Sequence, residues 1–456
     1  MVSFKKGNTF KWRIVLYMCI NIILSLFVLS LYDFTPKLNT YLFIILIPIV
    51  IAPVFLNKDI MNPFNIFLIS SQFLFIFNMI DINANKDFFR YGMLSSNYYE
   101  VAFTWAILII LMWYVCMYLG YFYTFEKQSK NKELRVFEIR NSTSIAIILI
   151  VLGTISYLVI TYLKGGLSGI LEGLSNRRES YAGLSYFIKL TSLVSIGAIM
   201  LLHKGYKRIS MILIVLSFLM LSSFGGRSAA FFGSVFPFLL FYHYRVKKIR
   251  FTSLIPVGFI GVIFAIALGN YRQYNEFRLE FNGIYGLLSK VASGTQGGEI
   301  LPSLTGSLIQ GNIDYQYGKT MINIIFAPIP SSIWANKPPI DESGLVGRLL
   351  MGSEYWGLPP GPYGISFLNF GFIGVIIIGF LTGILVKKLY YIFIIKEKSN
   401  YLSLIFYVFI IRHIFDFLST SSQINILWYI LVFVFIKILD ISISLVKSRS
   451  NIKSYV

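Results

Sequence analysis

The chain alternates between long apolar runs and short polar connectors over most of its length. The runs are about 17–22 residues long, enough to cross a hydrocarbon core of roughly 30 Å. They are continuously apolar and do not alternate residue by residue, which is typical of membrane-spanning helices and not of a β-barrel. Twelve spans are predicted, at 12–32, 39–57, 61–80, 100–123, 143–163, 184–202, 209–224, 229–244, 252–270, 365–386, 400–417 and 424–446.

This pattern predicts an all-α polytopic membrane protein with about twelve transmembrane helices. Residues 1–270 would form nine helices with short loops, and 365–456 the last three helices and a cytoplasmic tail. Residues 271–364 form one long connector between them. A protein that is nearly all membrane helix, yet keeps one connector this long, is expected to use it in its function.

Short elements are predicted inside the long connector. Leu279–Ala292 and Leu345–Met351 have the pattern of short amphipathic helices. Met321–Pro330 is an apolar run that is too short to span the membrane, so we expect it to lie on the membrane surface or to re-enter.

Composition supports the membrane class, and the distribution of charge predicts its topology. Apolar residues make up 56% of the chain, mean hydropathy is +0.71 and the formal net charge is +20. With a cytoplasmic N-terminus, and with Arg13 and Glu100 at the span ends counted in the adjoining loops, the twelve spans put 24 Lys/Arg and 5 Asp/Glu inside, and 13 of each outside. This asymmetry follows the positive-inside rule. The positive charge therefore indicates topology and not nucleic-acid binding, with both termini inside and 271–364 outside.

No metal site or cofactor site is predicted. Cys19 and Cys116 both lie within apolar spans, so no disulfide framework is implied. The three histidines, His203, His243 and His413, fall in or beside spans. Metal-ligand spacing, a phosphate-binding glycine loop and a nucleophile elbow are not found. The first span lacks a small-residue cleavage site, so we expect it to be uncleaved.

Arginine is the residue type that stands out on the predicted outer face. Its guanidinium keeps its charge and contacts phosphate with two parallel hydrogen bonds. Arg227 follows Gly225 and Gly226, and glycines allow a backbone to approach a ligand closely. The alternative is that Arg227 only reaches from a helix end to the membrane interface.

Further candidates have the same two interpretations, a ligand site or a belt of interfacial anchors. Arg272 and Arg278 are interleaved with aromatic residues after span nine. Arginines there would hold pyrophosphate, while aromatic rings would hold sugars. The proposed ligand contacts are Tyr271, Tyr274, Arg177, Arg178, Lys337 and Arg348.

Arg412 and Asp416 lie four residues apart in span eleven, a spacing that lets side chains meet on one helix face. They are either a neutralising structural pair, or Arg412 faces a substrate cavity. A general base must reach the proton that it takes, and sequence spacing does not select one. The candidate bases are Glu276, Glu280 and Glu342.

Between 143 and 386 the chain resembles the O-antigen and oligosaccharide repeat-unit polymerases, the Wzy family. One part of the resemblance is Ser223–Ser228, a junction of small residues followed by an arginine. Another is the series Pro330, Lys337-Pro338, Pro360-Gly361 and Asn369–Gly374. The last is Arg272 with Gly283 eleven residues on.

The resemblance implies a GT-C-like fold and a metal-independent membrane glycosyltransferase. Such an enzyme moves a growing glycan from undecaprenyl pyrophosphate onto a lipid-linked repeat unit, at the outer face of the bacterial inner membrane. Arg227, Arg272 and Arg278 would hold the pyrophosphate. A flippase and a chain-length regulator of the same pathway are implied partners, beside the bilayer itself. An O-antigen ligase and a lipid-linked oligosaccharide flippase or transporter are the alternatives.

Overall fold

A computed structural model describes residues 5–32, 37–56, 59–68, 72–85, 96–123, 139–175, 180–181, 183–274, 285–286, 288–289, 292, 297–326, 329, 333–334, 341–353, 357–396 and 401–453. All regular elements in these ranges are helical. The α-helices are α1 Lys5–Leu31, α2 Leu38–Leu56, α3 Pro63–Phe67, α4 Phe73–Asn85, α5 Ser96–Phe122, α6 Ser142–Leu163, α7 Leu167–Ser175, α8 Ser185–Thr191, α9 Leu193–His203, α10 Lys207–Ser222, α11 Arg227–Ala230, α12 Phe236–Phe241, α13 Phe251–Tyr274, α14 Gly297–Ile309, α15 Lys319–Ile322, α16 Glu342–Met351, α17 Gly361–Tyr390, α18 Tyr401–Ile414 and α19 Thr420–Lys453. Short π-helical turns follow α11, α12 and α17, and a 3-10 turn follows α15.

Seven helical segments in the described residues are long and apolar enough to cross a membrane. They are Leu38–Phe55, Tyr98–Phe122, Ser142–Leu163, Ser185–His203, Thr252–Tyr271, Gly361–Ile395 and Thr420–Lys447. Val15–Leu31, Phe73–Ala84 and Tyr401–Ile414 are shorter apolar helices. The predicted all-helical, polytopic membrane class is thus supported. The number of twelve spans, the sidedness and the GT-C likeness stay predictions.

The chain divides into two compact units. The first contains 1–126, 281–388 and 412–426, and the second contains 127–280, 389–411 and 427–456. Most of the long connector therefore falls in the same unit as the N-terminal helices.

In the first unit, helix α14 of the long connector is almost wholly buried. Ile300, Leu301 and Leu304 are fully buried, and α14 packs against α4 and α5. Its first turn meets α4 directly, because the Gly298 amide donates a hydrogen bond of 3.2 Å to Asn78 Oδ1. The hydrophobic pattern of the sequence does not predict this helix. Burial on all sides makes α14 part of the core of the first unit.

The short elements predicted in the connector agree with the structure to different extents. Leu345–Met351 is confirmed as part of α16. Of Leu279–Ala292, the described residues 285–286, 288–289 and 292 are helical, and the others lie outside the described residues. In the apolar run Met321–Pro330, α15 is followed by the 3-10 turn Asn323–Phe326.

Helices α5 and α17 pack with their backbones in close contact. Gly379 and Gly383 are spaced four residues apart on α17. A Cβ atom on Gly379 would lie 2.9 Å from the Trp113 carbonyl oxygen, and one on Gly383 would lie 2.6 Å from the Tyr121 amide nitrogen. Small residues at this spacing allow close packing of membrane helices. The glycines therefore set the distance between α5 and α17.

A proline in α2 is compensated by a side chain of α5. Pro53 has no N–H, so the carbonyl of Ile49 loses its donor within the helix. The Tyr118 hydroxyl donates to the Ile49 oxygen at 2.7 Å instead. An unsatisfied carbonyl in hydrocarbon costs several kcal/mol, so Tyr118 stabilises the irregular turn of α2.

In the second unit, side chains of α19 form hydrogen bonds with the residues that begin α6. The Asp440 carboxylate on α19 accepts hydrogen bonds from the amides of Asn141, at 2.9 Å, and Arg140, at 3.4 Å. Lys447 Nζ donates to Asn141 Oδ1 at 2.7 Å. A carboxylate at a helix N-terminus satisfies free amides and complements the helix dipole.

We predict that Gly383→Leu lowers stability by about 1–3 kcal/mol or more, because the added side chain collides with the backbone of α5. Thermal unfolding of the purified protein in detergent measures the change. The matched control is Gly258→Leu on α13, where an added Cβ meets open space. Equal losses of melting temperature in the two variants would contradict the packing argument.

Candidate functional site

Helix α17 is broken near its beginning. Phe370 has φ −138° and ψ 16°, and Gly371 has φ 60° and ψ −148°, both outside the helical region. Only glycine adopts the second conformation without a steric penalty. Asn369-Phe370-Gly371, the start of the series Asn369–Gly374, is therefore the point where the helix changes direction.

The carbonyl groups that lose their helical partners at the break accept hydrogen bonds from backbone amides of the long connector. Gln316 N donates to the Leu368 oxygen at 2.9 Å, and Tyr317 N donates to the Asn369 oxygen at 3.0 Å. Tyr317 has a positive φ of 46°, an uncommon conformation for a residue with a side chain. The connector is thus held against the break by its backbone.

The Asn369 side chain completes this junction. It is fully buried, and its Oδ1 accepts from Gly318 N and from Thr320 Oγ1, both at 3.0 Å. Its Nδ2 donates to the Ile365 oxygen at 2.9 Å. With both ends of its amide satisfied, Asn369 binds the connector to the first segment of α17.

Glu342, one of the candidate bases, lies at the start of α16 and is 7% exposed. Its carboxylate accepts hydrogen bonds from the Thr420 amide at 2.9 Å, from Ser421 Oγ at 3.4 Å and from Ser419 Oγ. Thr420 begins α19, so Glu342 acts as a cap for that helix. Thr420 Oγ1 in turn donates to the Thr320 oxygen at 3.2 Å, which joins this cluster to the Asn369 junction.

Asp416 lies beside Glu342. The sequence placed it on the same helix face as Arg412, but α18 ends at Ile414 and Asp416 lies in the turn before α19. Its Oδ1 atom is buried and has no hydrogen-bond partner. Asp416 interacts electrostatically with both Glu342 and Arg412. The structure therefore gathers two carboxyls and one arginine at this turn.

Burial governs the protonation of both carboxyls. It raises the pKa of Glu342, with Asp341 adding to the rise and the hydrogen bonds from Ser419 and Thr420 opposing it. Burial also raises the pKa of Asp416 well above its ordinary value, and the nearby Glu342 adds to this, while Arg412 and Ser419 oppose it. Two acids so close together do not ionise independently.

Aromatic side chains with unused polar atoms lie next to the carboxyls. Tyr363 is fully buried on the first segment of α17 and interacts electrostatically with Asp416. The ring of Trp113 lies 5.6 Å from that of Tyr363 and 5.7 Å from that of Tyr114. Trp113 Nε1, Tyr114 Oη and Tyr363 Oη are buried without a hydrogen-bond partner. Buried polar atoms are normally paired, so these three side chains are exceptions to the usual pattern.

The cluster brings together two of the residues proposed from the sequence, Glu342 and Arg412. Arg348 is exposed in the last turn of α16. Tyr271 is half-buried near the end of α13, in the second unit. Arg227 begins α11 and Arg272 and Tyr274 lie in the last turn of α13, also in the second unit, with side chains outside the described part. The other proposed residues lie outside the described residues: Arg177, Arg178, Glu276, Arg278, Glu280 and Lys337.

The polar and aromatic partners of this site were not predicted from the sequence. Ser419, Thr420 and Ser421 form a hydroxyl-rich run directly before an apolar stretch, which is a recognisable helix-start signal. Trp113 and Tyr114 give no comparable signal, because they lie in an apolar run that is predicted as a membrane helix. Tyr363 is one of several aromatic residues of the predicted connector 271–364, and nothing in the sequence distinguishes it from the others. In the part of the chain that the structure describes, no group of three or more His, Cys, Asp or Glu side chains could hold a metal ion.

We predict that Glu342→Gln flattens the dependence of stability on pH. The folded-state pKa of Glu342 is raised, so the stability that this group contributes is complete below its unfolded pKa and is lost as pH rises through the folded pKa. The melting temperature of the wild type should therefore fall more than that of Glu342→Gln between about pH 5 and pH 8.

The control is Asp314→Asn, which changes an exposed carboxyl of the same connector. It should follow the wild-type curve. Parallel curves for the wild type and Glu342→Gln would contradict the raised pKa.

No protein-family model, no curated protein and no solved structure matches this chain.

Proposed function

We propose that this protein is a membrane glycosyltransferase that polymerises lipid-linked oligosaccharide repeat units. It would move a glycan chain from undecaprenyl pyrophosphate onto the end of a lipid-linked repeat unit, on the outer face of a bacterial cytoplasmic membrane. The observation that carries the proposal is the broken start of α17. Its two ends, Pro360-Gly361 and Asn369–Gly371, are the residues on which the resemblance to repeat-unit polymerases is most specific.

The surroundings of this segment support the proposal. Tyr363 on the segment lies beside Asp416, and Asn369 at its end is linked through Thr320 and Thr420 to Glu342. Buried ionisable groups are costly in a protein of this apolar composition, and such groups are usually kept for function. The motif residues thus border the carboxyl cluster of the first unit.

The chemistry of glycosyl transfer needs two things that this chain offers. The acceptor hydroxyl must lose its proton to a nearby base, for which the carboxyl cluster supplies candidates. The departing pyrophosphate must be stabilised by cations fixed in place. In this proposal Arg227, Arg272 and Arg278 serve the pyrophosphate, and Arg177, Arg178, Lys337, Arg348 and Arg412 add contacts.

A second candidate function is transport of a lipid-linked oligosaccharide. It is favoured by the break in α17, since discontinuous helices are common at the substrate sites of transporters. An O-antigen ligase shares the long outer connector with the polymerase.

Deletion of the gene, followed by analysis of lipid-linked glycan, separates these functions. Loss of the polymerase should leave one repeat unit on the lipid carrier, facing outward. Loss of a flippase would trap the units on the cytoplasmic side. Long polymer left on the carrier would instead indicate a ligase.

We predict that Arg272→Ala and Arg227→Ala each abolish long-chain polymer when they replace the wild type in the deletion strain, because the leaving pyrophosphate loses a cation. Gel analysis of the glycan measures chain length, and immunoblotting checks that protein levels are unchanged. Arg208→Ala, at an exposed arginine on the predicted inner face, is the control and should keep normal polymer. Normal ladders from both test variants would refute the roles given to these arginines.

A further inference from the structure

We propose that the second unit has a docking surface for anionic phospholipid headgroups at one end of α9, α10, α12 and α13. This basic surface consists of exposed cations on two connectors: Lys204, Lys207, Arg245, Lys247, Lys248 and Arg250. The lipids meant are the phospholipids of the bilayer, and their binding does not depend on the proposed glycosyl transfer.

The charge of the basic surface is not offset by acidic residues close to it in the chain. Residues 180–275 contain no Asp or Glu. The acidic residues that the structure describes in the second unit are Glu172, on α7, and Asp440. Asp440 is 8% exposed, and its carboxylate is bound by the amides that begin α6. None of the four lysines forms a salt bridge with a described residue. The cations therefore face the surroundings of the protein.

The two connectors lie side by side. His203, the last residue of α9, interacts electrostatically with Lys204 of the first connector and with Arg245 of the second. Its ring also lies 6.4 Å from the ring of Phe241, the last residue of α12. The cations of both connectors therefore form one surface.

Short connectors keep this surface at the level of the lipid headgroups. Lys204 directly follows the apolar segment Ser185–His203, and Arg250 lies two residues before the apolar segment Thr252–Tyr271. Three residues join α9 to α10, and four join the π-helical turn after α12 to α13. Three extended residues reach about 10 Å at most. The cations thus stay close to the membrane ends of these helices, where lipid phosphates lie.

Local hydrogen bonds fix the backbone of both connectors. Gly205 has a φ of 93°, and the Tyr206 amide donates to the Leu201 oxygen at 3.1 Å, which is the glycine turn that commonly ends a helix. In the second connector, the Ile249 amide donates to His243 Nδ1 at 3.0 Å. A surface that is ordered beforehand loses less conformational entropy when it binds.

The helices themselves do not account for the position of two of the cations. Lys207 begins α10, and Arg250 directly precedes α13. Neither helix has an acidic residue in its first turn. A positive charge at the N-terminus of a helix is opposed by the helix dipole. At the start of α6, by contrast, the Asp440 carboxylate supplies the favourable charge. Lipid phosphates beside α10 and α13 would compensate the cations there.

An anionic phospholipid has the chemistry that this surface requires. Its phosphate accepts two parallel hydrogen bonds from an arginine such as Arg250 and attracts lysines as point charges. Tyr206, between Lys204 and Lys207, is 48% exposed, and tyrosine rings favour the headgroup region. A group of four to eight cations next to membrane helices is typical of binding to anionic lipids.

Lipid selectivity of the wild type tests the proposal. Purified full-length protein is reconstituted in phosphatidylcholine bilayers with a trace of spin-labelled phosphatidylglycerol or, in parallel, of spin-labelled phosphatidylcholine. Electron paramagnetic resonance measures the share of each probe that the protein immobilises. At about 0.1 M salt the wild type should prefer phosphatidylglycerol by about threefold or more, and at about 1 M salt the preference should largely disappear, because salt screens the charges. Equal binding of the two probes at low salt would overturn the proposal and favour an acidic protein or a nucleic acid as the partner.

Double variants locate the preference on the protein. Two of them each remove two exposed charges of the basic surface: Lys204→Gln/Lys207→Gln and Lys247→Gln/Lys248→Gln. Each should lower the preference for phosphatidylglycerol by about twofold or more. The matched control, Lys387→Gln/Lys388→Gln, removes two charges from the last turn of α17 in the first unit and should keep most of the preference. An equal loss in all three variants would assign the preference to the overall charge and overturn this docking surface.

Discussion

Every backbone polar group inside an apolar protein needs a partner, and the first unit is organised around the places where its helices do not supply one. The break in α17 frees the carbonyl oxygens of Leu368 and Asn369, which accept hydrogen bonds from the connector amides of Gln316 and Tyr317. Pro53 frees a carbonyl in α2 that Tyr118 satisfies. The first amide of α19 is satisfied by Glu342. Each interruption of a helix thereby becomes a fixed contact between distant segments.

These contacts explain why the polar interior is ordered. Asn369 and Glu342 both serve the backbone first, and in doing so they bring the connector against the turn that contains Asp416. The carboxyl cluster therefore consists mainly of groups that stabilise the backbone. It also contains one buried oxygen without a hydrogen-bond partner, Asp416 Oδ1. In the proposed glycosyl transfer, such rigid support would hold atoms at reacting distance, on which catalysis depends.

The sequence predicts the helical membrane class well, because a continuous apolar run is a local property. It also predicts α16, where the apolar residues Leu345, Val346, Leu349 and Leu350 recur at helical spacing. Helix α14 was missed because it is too short to span and contains Pro302, although its burial is nearly complete. The candidate site was harder still. Glu342 and Thr420 are 78 positions apart, and no local pattern shows that they meet.

The packing of α14 against α4 and α5 has a consequence for the order in which the protein folds during its synthesis. Asn78 on α4 finds its partner at Gly298, which is 220 residues further along the chain. Tyr99 on α5 likewise donates to the Glu299 oxygen, 200 residues later. A chain made from its N-terminus produces α4 and α5 long before α14 exists. These two hydrogen bonds therefore cannot form until α14 has been made, so the first unit completes its packing only after most of the chain has been synthesised.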